Sequence, residues 1–463
     1  MALANLFTAS EQNLSHYLAS MKHLLALAAL ALLLPVSLLA QKPSPADAIR
    51  KLIDERAAAL EPTVVALRRD FHAHPELSNR EFETSKKVAA KLRSLGLEVQ
   101  TGVAHTGVVA LLKGGKPGPI VALRADMDAL PVTEVTGLPY ASTATAEYNG
   151  QKIGVMHACG HDMHTAGLLG VAELLVGIKD QVPGTVKFIF QPAEESAPAG
   201  EEGGAELMIK EGVLTNPAPE AIFGLHVVGE QSAGVIAYRS GPAMAAVDRF
   251  ELIVHGKQTH GARPWQGVDP IVVTSQIITN LQHIVSREIQ LTKEPAVVTI
   301  GAIHGGIREN IIPDSVKLLG TIRTYDAAMQ DDIHRRIVRI AENIAEAHGA
   351  TATVRIKRQY PATVNDPDLT ARMVPTLERV AGPANLKVSL KATGAEDFSF
   401  FQQRIPGLYF FVGATPKGEA LDTAPANHSP LFAPDESGLV LGMRALANCV
   451  FDYAALTAAK AKK

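Results

Sequence analysis

The densest group of chemically capable side chains is His157-Ala-Cys159-Gly-His161-Asp162-Met-His164, where five potential ligands fall within eight residues. A lone histidine is more often structural than a ligand. Imidazoles gathered around a thiol are different, because together they form the donor set that zinc and similar divalent ions take. The bland alternative is a polar loop with a free thiol. A second group closes Phe188-Ile-Phe190-Gln191-Pro192-Ala193-Glu194-Glu195, an apolar run ending in two adjacent carboxylates. Neighbouring side chains diverge, so one can bind a metal while the other faces a substrate. A glutamate beside a metal-activated water can take its proton and later pass it to a leaving amine. Glu201-Glu202, just downstream, reads as a solvated acidic turn. His226 follows the apolar run 221–225, and His428 lies in Asn427-His-Ser-Pro430. Each alone reads as structural, and their weight comes from completing a ligand count. Asp126 and Asp128 flank Met127 and share one face if the backbone is extended. One of them can orient a ligand histidine through its second ring nitrogen, or it can simply cap a turn.

Such residues need strand ends and helix starts to hold them. Apolar runs at 108–112, 120–124, 186–190 and 221–227 predict buried strands. Helical spacing over 46–69, 81–95 and 165–176 predicts helices between them, and the alternation predicts an α/β fold with helices covering a sheet. Glu194, Glu195 and His226 then stand at strand ends, where open α/β sheets build their sites. Beyond Gly241 the pattern changes to a strand at 250–254, a helix over 270–288, strands at 296–302 and 316–324, a helix over 329–348 and a strand at 351–356. That β-α-β-β-α-β order is the ferredoxin-like split unit. A helix over 369–380, a strand at 408–412 and a helix over 436–453 resume the first pattern. The expected organisation is one α/β domain made of 46–241 and 357–458, interrupted by a smaller domain over 242–356.

The 463 residues are 20% charged and 47% hydrophobic with a net charge of −3, which is ordinary globular composition with no call for a nucleic acid as partner. The first forty residues stand apart. Residues 24–40 form an uncharged apolar run, preceded by Lys22 and His23 and followed by a polar stretch. This is the pattern of a cleaved export signal, with Met21 as an alternative start, and it predicts a periplasmic or secreted protein. An uncleaved membrane anchor is the alternative. Two cysteines, Cys159 and Cys449, make no disulfide framework.

The motifs His72-Ala-His-Pro-Glu76, Arg124-Ala-Asp-Met-Asp-Ala-Leu-Pro131, Met156-His-Ala-Cys-Gly-His-Asp162, Gln191-Pro-Ala-Glu-Glu195 and Thr393-Gly-Ala-Glu-Asp-Phe398 occur in that order. Together they resemble the M20 metallopeptidases, in the amidohydrolase branch of hippurate hydrolases, N-acyl-amino-acid deacylases and auxin-conjugate hydrolases. The resemblance runs over 46–453 and is specific for family and reaction class, not for substrate. It implies an M20-type catalytic domain, a mixed sheet flanked by helices, carrying an inserted ferredoxin-like domain that serves as lid and homodimer contact. It also implies two divalent metal ions per subunit, held by Cys159, His161, Glu195, His226 and His428, with Glu194 as general base. Zinc or manganese is expected, with cobalt or nickel as alternatives. By the same resemblance His260 steadies the developing oxyanion, often across a dimer, while Asn310 and Arg323 bind substrate. A guanidinium suits a free carboxylate because it can bind it bidentately. The wider group has a His-x-Asp element where Asp126-Met-Asp128 stands here, so the roles of these two aspartates stay open, with Asp128 expected behind a ligand histidine.

The expected activity is hydrolysis of the amide bond of an N-acyl amino acid. A carboxypeptidase or dipeptidase on the same scaffold is the nearest rival, and a non-catalytic metal-binding protein is a rival of another kind. A Cys159 nucleophile with His161 as base leaves the remaining ligands unexplained.

Overall fold

The structure, a computed structural model, describes residues 44–461, and the expected leader at 24–40 lies outside them. The main sheet has eight strands in the order Glu98–Val103, Gly107–Lys113, Pro183–Gln191, Lys116–Asp126, Ala221–Ser232, Gly407–Thr415, Ile236–Tyr238 and Leu386–Val388. The four middle strands, from Pro183–Gln191 to Gly407–Thr415, run parallel. Antiparallel pairings join Gly107–Lys113 and Ile236–Tyr238 to this centre. Parallel strands are covered on both faces and therefore read as continuous apolar runs. Gly407–Thr415 is buried at every position. One face carries the helices His161–Val176 and Ser437–Ala461. The other carries two short helices, Gly204–Lys210 and Phe398–Gln402, whose Met208, Phe398 and Phe401 pack with Ile189, Ile222 and Tyr409 of the strands.

Residues 246–360 build a second, antiparallel sheet in the order Ala296–Gly305, Ser315–Thr324, Ala246–His255, Thr351–Tyr360. This is the strand order of the ferredoxin-like unit anticipated from the element sequence. Along Ala246–His255, Phe250, Leu252 and Val254 point into a core with Ile277, Leu281, Ile333 and Ile337 of two helices, Pro270–His283 and Ala327–Ala347. The alternate residues, Arg249 and Glu251 among them, face away from those helices, as period-two alternation requires. Each helix has a defined start. The Asp269 carboxylate accepts from the amides of Ile271 and Val272 with Pro270 in the first turn, and the Asp326 carboxylate accepts from the Met329 amide.

Several boundaries differ from the sequence reading. The helix expected from 165 begins at His161, so the metal-motif residues His161, Asp162 and His164 lie in its first turn. The strand expected to end at 227 continues to Ser232, so His226 sits within it. The helix expected over 270–288 is α-helical to His283 and finishes in a π-turn, Ile284–Glu288. Segments of three to seven residues, such as Ile236–Tyr238, Leu386–Val388 and Gly204–Lys210, were not anticipated. They are too short for a period of 2 or 3.6 to declare itself.

Candidate metal centre

The site lies at the carboxyl ends of the parallel strands, where successive crossovers leave backbone ends pointing outward. Pro183–Gln191 delivers Glu194 and Glu195, Ala221–Ser232 delivers His226, and the start of His161–Val176 delivers His161 just after Cys159. His428 comes from a turn before the last helix, whose amide donates to the Ala158 carbonyl at 2.7 Å. Asn427 fixes that turn. Its Nδ2 donates to the carbonyls of Cys159 (2.9 Å) and Val227 (3.0 Å), and its Oδ1 accepts from the Gly229 amide.

Hydrogen bonds set the tautomers. The His226 Nδ1–H donates to the Val227 carbonyl at 2.7 Å, which leaves Nε2 3.4 Å from the Cys159 sulfur. The His161 Nδ1–H donates to the Asp128 carbonyl at 2.8 Å, with Asp128 Oδ1 at 3.2 Å, and Nε2 lies 3.9 Å from a carboxylate oxygen of both Glu194 and Glu195. His428 Nε2 is 3.2 Å from Glu195 Oε1. The ligand atoms of Cys159, His161 and His226 all lie within 4.8 Å of one another, and so do those of Cys159, Glu195 and His428. The five residues named from the sequence therefore form two overlapping triads, with Glu194 beside them.

This donor set fits divalent cations. His161 Nε2 is buried and has no hydrogen-bond partner, a costly state that a cation would relieve. Burial opposes protonation of His161, yet the charges of Asp126, Asp128 and Glu195 outweigh it and hold the pKa up at about 10. That is a measure of the negative field at the position. Burial pushes the Cys159 thiol well above its usual range, with Glu195, Glu194 and Asp126 adding to the effect. A coordinated cation reverses that logic and deprotonates a ligand thiol. Burial, followed by the charges of Glu396, Glu195 and Asp397, likewise holds the Glu194 carboxyl well above the carboxylate range.

The remaining members of the histidine-rich motif stand outside these two triads. His164 donates through Nδ1 to Asp126 at 2.6 Å and accepts the Val227 amide at Nε2, so both ring nitrogens are committed. Asp162 is paired with Arg68 and His72, each at 2.8 Å. His157 is buried with neither ring nitrogen bonded, and burial drops its pKa to about 3. Cys159 and Cys449 are both free thiols.

Asp128 makes several contacts at the site. Besides meeting His161, its Oδ2 accepts from Ser78 Oγ (2.7 Å) and from the Glu195 amide (2.9 Å). Asp126 stays off the triads named above as ligands. It backs His164, and it accepts from Arg124 at 2.7 Å. The fully buried Arg124 also donates to Gln191, Glu396 and Asp397, tying the motif 393–398 to the strand that bears the glutamates. Sequence reasoning assigned no role to Arg124, Glu396, Asp397 or Asn427, although the first three stand inside the recognised motifs. Three non-glycine residues at the site adopt left-handed backbone: Ala193 (φ 52°), Ser196 (φ 86°) and His428 (φ 72°). Such conformations cost about 1 kcal/mol or more each and persist where surrounding contacts impose them. Here the Ala193 amide donates to Glu81 at 2.9 Å, and the Tyr360 hydroxyl donates to the Glu194 carbonyl at 2.8 Å.

A cavity of about 960 Å³ opens on the site. Cys159, Glu194, Glu195, His226 and His428 line it at one side, and Arg249, Arg323 and Tyr360 of the second sheet line it as well. His260 and Asn310 do not line it. They sit together and exposed on a small ribbon in which Thr259–His260 pairs with Ile311–Ile312 and the Gly261 amide donates to the Asn310 carbonyl.

Residues 122–452 match the family model for peptidase family M20/M25/M40. The chain is 42% identical over 398 residues to thermostable carboxypeptidase 2 of Saccharolobus solfataricus, covering 86% of this chain and 96% of the relative. It is 38% identical over 385 residues to an N-acetyl-L-cysteine deacetylase of Bacillus subtilis, covering 83% and 86% of the two chains. A solved structure from Bacillus subtilis, described as a dinuclear metal-binding peptidase of the M20 family, superposes with a TM-score of 0.71 at 35% identity, over 86% of this chain and 99% of that one. The chain belongs to peptidase family M20/M25/M40 and is a metal-dependent amide hydrolase.

Proposed function

We propose that this protein hydrolyses the amide bond of N-acyl amino acids, with Glu194 as general base. The observation that carries the reading is the juxtaposition, across one cavity, of a cation-binding donor set flanked by a spare carboxylate and of the Arg323 guanidinium. Two divalent cations held by Cys159, His161, Glu195, His226 and His428 would lower the pKa of a water and polarise the scissile carbonyl. Glu194 takes the proton of the attacking water and returns it to the leaving nitrogen. Glu81 and Tyr360 hold the backbone on either side of that carboxylate. Arg323 takes the carboxylate of the amino-acid half. We place His260 and Asn310 in the cavity of a second copy of the chain, where His260 would steady the oxyanion, and the unit 242–356 then acts as lid and dimer contact. Cys159 favours zinc as the resident ion, with manganese, cobalt or nickel as the ions to test against it.

The Bacillus deacetylase supports the acyl-amino-acid reading, whereas the Saccharolobus carboxypeptidase supports a peptidase reading of the same site. The two differ in what precedes the scissile carbonyl. Kinetics on metal-loaded protein with N-acetyl and N-benzoyl amino acids against dipeptides separates them, and faster turnover of the acyl series is expected. Glu194→Gln should keep its metal content by elemental analysis and lose turnover by about 10²–10⁴-fold. Near-normal activity in that variant would remove Glu194 from the chemistry.

A further inference from the structure

Arg249 and Arg323 are two cations where one would serve. In the register of the second sheet Arg323 stands opposite Val247, and Arg249 stands opposite Thr321. The two are therefore diagonal neighbours on the same face of adjacent antiparallel strands, with Cβ atoms about 7–8 Å apart and long side chains that can converge. Both line the cavity. Among the described residues neither guanidinium makes a hydrogen bond or an ion pair with another protein group.

Asp248 and Glu251, the two acids beside the arginines on the second sheet, are already committed. Asp248, between Val247 and Arg249 in sequence, faces the helices, where Gln330 donates to both its oxygens and His334 pairs with it. Glu251, on the arginine face, pairs with Lys317 and Arg355. Lys391, also on the cavity wall, is bound to Glu294. Glu230 lines the cavity from the strand Ala221–Ser232 of the main sheet. Arg323 is half-buried, and burial, followed by the Arg249 charge, depresses its pKa. Neighbouring like charges destabilise a strand pair. Retaining two of them unpaired in a cavity makes physical sense if the ligand brings the missing anions.

One carboxylate fills one guanidinium fork. A second guanidinium calls for a second carboxylate on the same half of the substrate. We infer that the cavity selects N-acyl derivatives of dicarboxylic amino acids, the aspartate and glutamate type, with Arg323 on one carboxylate and Arg249 on the other. This rests on the proposed amidohydrolase reading. Water adds across the amide, the carbon–nitrogen bond breaks, and a carboxylic acid and a dicarboxylic amino acid leave.

The test compares isosteres that differ in charge. The wild-type kcat/KM for N-acetyl-L-glutamate over N-acetyl-L-glutamine, and for the aspartate over the asparagine pair, is expected to be about tenfold to a hundredfold in favour of the acid. Arg249→Gln should bring the ratio close to one, chiefly through KM, and Arg249→Lys should keep part of it. Calorimetry of the same ligands on metal-loaded Glu194→Gln protein should show the same order of affinities. A wild-type ratio near one, or a ratio that Arg249→Gln leaves in place, overturns the inference while the hydrolase reading stands. If no acyl amino acid is hydrolysed, the hydrolase reading fails and the calorimetric preference alone decides the inference. Equal affinities would then end it.

Discussion

Asp128 answers three donors with one side chain and one carbonyl, and so it ties Ser78, Glu195 and His161 into a single geometry. Removing the carboxylate in Asp128→Ala leaves the carbonyl bond to His161 in place but frees the Glu195 amide. The expected result is metal affinity weaker by about tenfold, at the low end of what partners of ligating histidines cost, measured by competition with a chromophoric chelator. Unchanged affinity would make Asp128 a folding residue only. Glu81 offers a pH test away from the ligands. Burial, followed by the nearby Asp128 charge, lifts its carboxyl to about 8 despite hydrogen bonds from Thr106 Oγ1 and the Ala193 amide. Its folded pKa lies above the unfolded one, so folding favours the protonated form. That contribution is complete below the unfolded pKa and is lost as pH rises through about 8. Glu81→Gln cannot ionise and keeps an acceptor for Ala193. The stability difference between this variant and wild type should therefore move in favour of the variant between pH 5 and pH 8.5, about the window named by the two pKa values, in chemical unfolding of the metal-free protein. A difference that stays flat with pH would show Glu81 ionised in the fold. The cluster of candidate ligands was legible because chemistry restricts which side chains bind metal. What local density could not tell was direction. Successive helical residues turn by about 100°, so Asp162, next to His161, swings away to Arg68 and His72, whereas His164 comes back to a face near His161 and supports it from behind.

At the scale of elements, the junction between loop and helix at Gly160 decides whether Cys159 and His161 meet. Gly160 caps the helix His161–Val176 in the left-handed region at φ 92°, and a Cβ built there would run into the Val227 side chain beside His226. Gly160→Ala should thus cost about 1–2 kcal/mol for the backbone conformation and about 1–3 kcal/mol for the overlap. Repeating the substitution in a Val227→Ala background removes the overlap and leaves the backbone part. Denaturant unfolding of the chelated proteins reads both costs, and equal costs in the two backgrounds would discard the steric account. The same junction shows how far elements can be read from a sequence. The central strands were visible because burial on both faces makes them apolar throughout, and Asp269, Asp326 and Asp366 mark three helix starts with side chains that accept amide protons. The start at His161 was hidden because Gly160 caps without a side chain. The left-handed turns at Ala193, Ser196 and His428 were hidden too, since nothing in an alanine, a serine or a histidine announces a positive φ that only distant contacts such as Glu81 impose.

For the whole molecule, the issue is how two sheets share one cavity and what still lies outside it. The donor set and Arg323 reach the cavity from different sheets, but His260 and Asn310 stay exposed on their ribbon. Side chains around that ribbon are unusually apolar for a surface: Trp265, Ile271, Val272 and Ile307 are all exposed large hydrophobics. Apolar exposure of this kind suits contact with another surface, and a second copy of the chain is the partner that would also bring a His260 to each site. Homodimers are most often two-fold, with each copy giving what it receives. Two variants that fail for different reasons then test the arrangement. Glu194→Gln and His260→Ala homodimers should each be nearly inactive. In a mixed dimer the His260→Ala subunit keeps its own Glu194 and receives His260 from its neighbour, while the other site lacks both. Random exchange would make half the dimers mixed, each with one intact site, so the mixture should regain about a quarter of wild-type activity. If each cavity instead used the His260 of its own chain, neither site of the mixed dimer would be whole. A mixture as inactive as its components, with exchange verified by native mass spectrometry, would place the oxyanion contact within one subunit and require the second sheet to close over the cavity to deliver it.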